Sequence, residues 1–224
     1  MVLESQRDLS DRYLRPYALK LKDYDPNTLT WIAFGISLLS ALFFILTWYH
    51  FIFLFFASLF IFLSGLLDLL DGMVARITNR TSNLGDFLDH ALDRYADFFI
   101  LLGISFSPFA NIYLGLFAII AMFLASYMGT QAQAVGSKRL YRGYLSRADR
   151  LTILIFAPII QMVIVIVSIY ILRADYIHYI FTIFSINLSL TFFDFVLLYF
   201  IVAGHITALQ RFTIVYKELR SKTF

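Results

Sequence analysis

Residues 65–99 read GLLDLLDGMVARITNRTSNLGDFLDHALDRYADFF and place acidic side chains between long apolar runs. An aspartate at the centre of a membrane costs about 2.5 to 3.5 kcal/mol on insertion scales, so such residues are rare unless they serve a function. The stretch therefore predicts a functional site inside a membrane domain. The six aspartates are Asp68, Asp71, Asp86, Asp89, Asp93 and Asp97.

The composition predicts an integral membrane protein. Hydrophobic residues make up 60% of the chain and charged residues 15%, whereas soluble domains carry roughly 25% charged residues. A chain of 224 residues has room for about six helices of about 20 residues each. The chain has no cysteine, which excludes disulfides, thiolate metal sites and a cysteine nucleophile.

We predict an all-α integral membrane protein with six transmembrane helices, because open strand edges cannot satisfy their backbone groups in hydrocarbon. Residues 1–28 mix basic and apolar side chains, which favours an amphipathic helix on the membrane surface and no cleavable signal peptide. Residues 29–210 form the predicted transmembrane domain, and residues 211–224 a C-terminal tail. The predicted spans are Leu29–Trp48, Phe51–Arg76, Leu84–Phe106, Phe109–Ala134, Leu151–Leu172 and Leu188–Leu209.

Basic residues in the loops predict the orientation. If the six spans alternate, the basic connections at 76–83 and 136–150 and the basic tail lie on the same side as the N-terminus. We therefore predict a multi-pass protein of the cell membrane. By the positive-inside rule, both termini and the aspartate-rich ends of spans two and three face the cytoplasm.

The spacing of the aspartates predicts two facing pairs. Asp68 and Asp71 are three residues apart on span two, and Asp89 and Asp93 are four apart on span three, so each pair shares a helix face. Two divalent ions would neutralise four carboxylates, and an all-oxygen ligand set favours Mg²⁺ or Mn²⁺. A two-metal site suits phosphoryl chemistry, and Arg76 adds a charge for a phosphate.

Other interpretations of the acidic residues remain open. Intramembrane carboxylates also serve as proton relays or structural ion pairs. Asp86 and Asp97 extend the stripe on span three and are interpreted as helix-end charges or interfacial contacts. His90 and His205 are interpreted as hydrogen-bonded packing groups.

The order D-x2-D-G-x2-A-R-x8-G-x3-D-x3-D from residue 68 to residue 93 resembles the signature of the CDP-alcohol phosphatidyltransferases at all eight fixed positions. The resemblance implies transfer of a phosphatidyl-type group from a CDP-linked lipid to a small polar alcohol, with release of CMP. It also implies a six-helix homodimer in the lipid bilayer.

The same resemblance implies roles for the fixed residues. Asp93 would bind metal and act as the catalytic base for the acceptor hydroxyl. The implied metal ligands are Asp68, Asp71, Asp89 and Asp93, and the implied cytidine diphosphate pocket contains Asp68, Gly72, Ala75, Arg76 and Gly85.

The acceptor is predicted to be a phosphorylated polyol, either inositol phosphate or glycerol phosphate. Arg94 follows the last motif aspartate, as in many members that use inositol phosphate, but Gly129 and Gln131 stand where those members have arginines. A dense basic run would attract the acceptor phosphate, although such a run also fits an ordinary loop at anionic lipid headgroups. Its members are Lys138, Arg139, Arg142, Arg147 and Arg150.

Two other function classes remain as alternatives. A membrane prenyltransferase also uses paired aspartates and Mg²⁺, but no second aspartate-rich motif follows late in this chain. An ion or proton transporter would be expected to show internal repeats, and the aspartate cluster has no second copy. We expect no nucleic-acid partner. Ester-linked and ether-linked lipid chains are both compatible with the sequence.

Overall fold

The computed structural model describes residues 13–137, 143–171, 173, 179–183 and 186–222. Residues 13–20 are helical and form α1. A single π-helical turn, Val167–Ile171, extends the sixth helix. The longer helices are α2 Pro26–Leu46, α3 Phe53–Ile77, α4 Asn83–Ser105, α5 Ile112–Ala134, α6 Arg147–Ile166 and α7 Phe192–Lys222.

Five of these helices, α2, α3, α5, α6 and α7, are long and apolar enough to cross a membrane. The other long helix, α4, has 23 residues and carries five charged side chains: Asp86, Asp89, Asp93, Arg94 and Asp97. The prediction of a helical, multi-pass membrane protein is thus confirmed, but the number of spans is not. That α4 also crosses, which would give six spans, stays a prediction.

A short hairpin corrects the start of the last predicted span. Strands β1, Tyr179–Ile183, and β2, Ile186–Leu190, pair antiparallel ahead of α7. The predicted start at Leu188 is therefore wrong. The helix begins at Phe192 because Thr191 and Asp194 cap each other: the Thr191 amide donates to Asp194 Oδ2 at 2.8 Å, and the Asp194 amide donates to Thr191 Oγ1 at 3.3 Å.

The C-terminal end of α7 also differs from the expected tail. The helix runs without a break to Lys222, so the described part of the segment 211–224 continues the last helix instead of leaving it. With 31 residues, α7 is about 45 Å long. It is longer than the hydrocarbon core of a bilayer is thick.

A capping box sets the start of α6, so two arginines that were predicted to lie in a loop belong to the helix. The Ser146 hydroxyl accepts from the Asp149 amide at 3.2 Å, and Asp149 Oδ2 accepts from the Ser146 amide at 3.0 Å. The helix therefore begins at Arg147, four residues before the predicted start. Arg147 and Arg150 are three residues apart in its first turns and point to one side.

Small residues and hydroxyl groups hold the helices together. Helix α2 packs against α3 and α4, α3 packs against α6, and α5 packs against α7. Ser40 and Ser64 donate hydrogen bonds across the α2–α3 interface, to Ala57 O at 3.0 Å and to Ala33 O at 2.8 Å. Such bonds satisfy polar groups that lipid cannot.

The N-terminal helix lies against one end of this bundle. Ala18 of α1 is fully buried in a small apolar cluster with Leu29 of α2 and with Leu70, Met73 and Val74 of α3. Residues 1–12 lie outside the described residues. That α1 rests on a membrane surface stays a prediction.

Glycine at position 103 should be required for the contact between α2 and α4. A Cβ there would lie 2.6 Å from the Ala41 carbonyl oxygen and 2.8 Å from its Cα, which only a backbone shift could relieve. We expect Gly103→Ala to lower the midpoint of thermal unfolding in detergent by roughly 3 °C or more.

The matched control is Gly35→Ala in α2, where an added Cβ meets nothing within 4 Å. Alanine is the better helix former, so this variant should melt at or above the wild-type temperature. Equal melting temperatures for the two variants would contradict the assigned close approach.

Candidate active site

Side chains from α3 and α4 converge on Arg147, which reaches them from the start of α6. Its Nη2 lies 2.8 Å from Asp68 Oδ1 and also contacts Asp93 Oδ1, while its Nη1 lies 4.0 Å from Asp89 Oδ1. Three of the four aspartates predicted to bind metal thus surround one guanidinium group. The two helices bring their carboxylates together, as the spacing predicted, and the role of each carboxylate stays a prediction.

Local sequence features explain this meeting. Asn79 takes a left-handed backbone with φ of 54°, which asparagine tolerates, and the chain turns there from α3 towards α4. Gly65 lies three residues before Asp68, and a Cβ at Gly65 would come 2.7 Å from Leu151 Cδ2. Since Leu151 follows Arg147 by one helical turn, the missing side chain at Gly65 lets α6 approach Asp68.

Asp71 lies beside this group and is buried, with 5% of its surface exposed. Its Oδ2 accepts no hydrogen bond from any residue that the structure describes, and Thr30 lies next to it. A buried carboxylate oxygen is costly unless something binds it. An oxygen-only set with such an unused oxygen fits a hard divalent cation.

His90 stands between two aspartates of α4. Its Nδ1 lies 3.2 Å from Asp89 Oδ2, and its Nε2 lies 3.5 Å from Asp86 Oδ1. Ligand atoms of Asp89, His90 and Asp93 fall within 4.8 Å of one another. The histidine predicted to be a packing group is therefore in contact with the candidate site, and Asp86 is its exposed partner.

The residues predicted to bind cytidine diphosphate lie on α3 and α4, the two helices that carry the motif aspartates. Gly72, Ala75 and Arg76 occupy the last turns of α3, and a Cβ at Gly72 would lie 3.5 Å from Arg76 Nη1. Gly85 lies in the first turn of α4, where a Cβ would be 3.2 Å from Asn27 Oδ1. The side chains of Arg76 and Asn27 therefore lie close against these two glycines.

The predicted acceptor-binding residues divide into three groups. Lys138, Arg139 and Arg142 lie outside the described residues. Arg147 contacts the carboxylates, whereas Arg150, with 4% of its surface exposed, pairs with a different aspartate. The Arg150 Nη2 lies 3.1 Å from Asp97 Oδ2, and Arg94 Nη1 lies 3.6 Å from the same oxygen.

Sequence reasoning did not identify Arg211 of α7 as a site residue. Its Nη1 donates to Ala125 O at 2.6 Å, and it interacts electrostatically with Arg94 and Arg150. A Cβ at Gly129 would lie only 3.0 Å from Arg211 Nη1. Members that use inositol phosphate often have an arginine where this chain has Gly129. The side chain that is missing at Gly129 leaves space for Arg211 from another helix, so this difference was the sequence signal that pointed to a second arginine.

A sequence profile of the CDP-alcohol phosphatidyltransferases matches residues 24–202. The chain belongs to this family. The resemblance predicted from the eight motif positions is confirmed, and so is the enzyme class, a transferase of substituted phosphate groups. Family membership favours this class over the prenyltransferase and the transporter.

Two archaeal relatives are similar in sequence. The archaetidylinositol phosphate synthase of Pyrococcus horikoshii is 33% identical over 138 residues, which cover 62% of this chain and 71% of the relative. The archaetidylinositol phosphate synthase of Methanothermobacter thermautotrophicus is 34% identical over 82 residues, which cover 37% of this chain and 42% of the relative.

Solved structures of a mycobacterial relative share the fold. The phosphatidylinositol phosphate synthase of Mycobacterium tuberculosis with CDP-DAG bound superimposes with a TM-score of 0.67 at 22% identity, covering 92% of this chain and 94% of that one. The same enzyme with manganese and citrate gives a TM-score of 0.67 at 21% identity, covering 90% and 88%.

Asp97 should contribute strongly to stability because it pairs with Arg150, which is buried, and with Arg94, which is partly buried. Asp97→Asn keeps the shape of the side chain but removes the charge that Arg94 and Arg150 share. Leaving buried charge uncompensated costs on the order of 3 kcal/mol. We expect a clear fall in the free energy of unfolding, measured by denaturant titration in detergent.

Asp86→Asn is the control, since 72% of the Asp86 side chain is exposed. Surface ion pairs contribute about 0 to 1 kcal/mol, so this variant should unfold like the wild type. If both variants lose the same small amount of stability, the Asp97 contacts do not hold the helices together.

Proposed function

We propose that this enzyme transfers a phosphatidyl-type group, a diacyl- or dialkylglycerol phosphate, from a CDP-linked lipid to a hydroxyl of a phosphorylated polyol. Inositol phosphate is the first candidate for the acceptor and glycerol phosphate the second. The observation that carries the proposal is that Asp93, which contacts Arg147 in the carboxylate group, lies one helical turn before Asp97, which pairs with Arg94 and Arg150. Arg211 lies near these two arginines. The names of the two archaeal relatives support inositol phosphate.

Asp68, Asp71, Asp89 and Asp93 would hold two divalent ions, Mg²⁺ or Mn²⁺. Their oxygen-only donor set and the unused oxygen of Asp71 support this assignment, as does the manganese in the mycobacterial structure. When bound, the ions would bind phosphate oxygens and stabilise the negative charge that develops on the departing CMP.

The donor would bind beside the carboxylates. Gly72, Ala75 and Gly85 would present no bulky side chain of their own to the cytidine diphosphate, and Arg76 offers a charge for its phosphates. Asp68 would belong both to this pocket and to the metal site. CDP-DAG in the mycobacterial structure supports a donor of this type, and its apolar chains would stay in the bilayer.

Asp93 would act as the catalytic base. An alcohol is a weak nucleophile at neutral pH, and a positioned carboxylate can take its proton as the oxygen attacks phosphorus. The hydroxyl oxygen forms a bond to the β-phosphorus, the bond from that phosphorus to CMP breaks, and the proton passes to Asp93. Asp93 is 7% exposed, so bulk water would compete poorly with the acceptor.

The acceptor phosphate would bind one helical turn from the base. Asp93 and Asp97 are four residues apart on α4, so their side chains are neighbours about 6 Å apart. Arg94 and Arg150 face the single carboxylate of Asp97, and Arg211 lies near both arginines, which leaves an excess of positive charge for a phosphate. Besides Arg94 and Arg211, the proposed phosphate-binding residues are Lys138, Arg139, Arg142, Arg147 and Arg150.

The setting of the enzyme follows from the same proposal. Six spans, with α4 among them, would place both termini and the active site at the cytoplasmic face of the cell membrane. Residues 1–28 would lie on the membrane surface, and residues 29–210 would form the catalytic domain. Residues 211–224 would lie in the cytoplasm, with Arg211 at the point where α7 leaves the domain. The active form would be a homodimer.

An acceptor screen tests the proposed function. The purified protein is incubated with Mg²⁺, with a CDP-linked lipid carrying either ester-linked or ether-linked chains, and with one labelled acceptor at a time. We expect lipid product and CMP with inositol phosphate or glycerol phosphate, and none when a chelator removes the metal. Product from serine or free inositol alone would overturn the proposal.

Asp93→Asn is the matched variant for this screen, since it keeps the shape of the base without its charge. Loss of a general base typically costs a factor of about 10² to 10⁴ in rate, so CMP release should fall at least a hundredfold. Asp86→Asn, on the same helix, should keep the wild-type rate. An unchanged rate in Asp93→Asn would argue against the base assignment.

Arg211→Gln should weaken acceptor binding selectively. Removing one charged hydrogen bond to a phosphate costs about 1.5 to 3 kcal/mol, so we expect the KM for the phosphorylated acceptor to rise roughly tenfold or more. The KM for the CDP-lipid should stay near its wild-type value. Both constants are measured by initial rates of CMP release.

Arg220→Gln on the same helix removes the same charge from an exposed position and should change neither KM. A parallel rise of both KM values in Arg211→Gln would instead indicate a general structural role for Arg211.

A further inference from the structure

We propose that Arg147 and a divalent cation exchange at the carboxylate group, so that cation binding releases the guanidinium towards the anionic substrate. The inference rests on the proposed function and adds a positioning role for Arg147. It concerns the ion contacts of α6 with α3 and α4.

The argument begins with shared oxygen atoms. Arg147 Nη2 contacts one oxygen of Asp68 and one of Asp93, and its Nη1 approaches Asp89. The same three carboxylates belong to the proposed metal ligand set. A cation bound among them would lie next to the positively charged guanidinium, and like charges that close repel strongly in a partly buried site. The Arg147 guanidinium and a divalent cation therefore cannot both bind these carboxylates in this arrangement.

The position of Arg147 allows it to leave. It is the first residue of α6, where the helix dipole disfavours a positive charge, and its ion contacts are with the carboxylates. Its side chain is 41% exposed, and a long flexible stem can move its charged end without moving the helix. Once released, the guanidinium would still lie beside Arg94 and Arg150, where the acceptor phosphate is proposed to bind.

Arg150 provides an internal comparison. It lies one turn further along α6, but its side chain is 5% exposed and its partner is Asp97, which is not among the proposed metal ligands. Arg94 approaches the same Asp97 oxygen. Cation binding should therefore leave Arg150 in place.

The first experiment measures cation affinity directly. Free Mn²⁺ is followed by electron paramagnetic resonance while it is titrated into the purified full-length protein, without substrate. Removing the competing guanidinium in Arg147→Gln should tighten Mn²⁺ binding roughly tenfold or more. Arg220→Gln removes the same charge from an exposed position and should change the affinity by less than about threefold, because exposed charges are screened. Unchanged or weaker binding in Arg147→Gln would overturn the exchange.

The second experiment uses the wild-type protein and does not depend on the folding of a variant. Phenylglyoxal modifies accessible arginines, and mass spectrometry locates the modified positions. Saturation with Mn²⁺ should raise the modification rate at Arg147 several-fold relative to Arg150. A rate at Arg147 that stays constant or falls would contradict release of its side chain.

The outcomes separate this inference from the proposed function. If the wild type binds no Mn²⁺ in the titration, the proposed metal centre fails and the exchange fails with it. If Mn²⁺ binds and supports CMP release, but neither the affinity of Arg147→Gln nor the reactivity of Arg147 changes as expected, the function stands and the exchange alone is wrong.

Discussion

The carboxylates of Asp68, Asp89, Asp93 and Asp97 require positive charge, and arginines of α4 and α6 supply it. Asp68, Asp89 and Asp93 share the Arg147 guanidinium, and Asp97 has Arg150 and Arg94. Burying unpaired charge costs several kcal/mol, so stability depends on the first turn of α6 lying against these aspartates. The capping box at Ser146 makes that turn a helix.

The same arrangement connects stability with chemistry. Gly65 lets α6 approach α3, and the small side chain at Gly129 leaves space for Arg211 of α7. The first approach brings Arg147 to Asp68 and Asp93, and the second places Arg211 near Arg94 and Arg150. The bundle therefore uses missing side chains to assemble an acidic group beside a basic one, and a substrate that carries both phosphate and hydroxyl groups matches both.

Sequence reasoning succeeded where the signal is local. The three-residue and four-residue spacings of the aspartates defined helix faces, and the structure brings those faces together. It failed at the start of α6, because the polar first turn looked like loop, and at the start of α7, because β2 is as apolar as the helix that follows. Arg211 was missed because its neighbours, Gly129 and Arg150, are distant in the sequence.

The sequence by itself determined the membrane class, the family and the pairs of carboxylates, because hydrophobic content and helical periodicity are properties of short stretches of chain. Only the tertiary structure decided which cation faces which carboxylate. Arg147 and Arg150 have the same chemistry and are three residues apart, but one contacts the motif aspartates and the other contacts Asp97. That difference depends on how α6 is placed against α3 and α4, and long-range packing sets that placement.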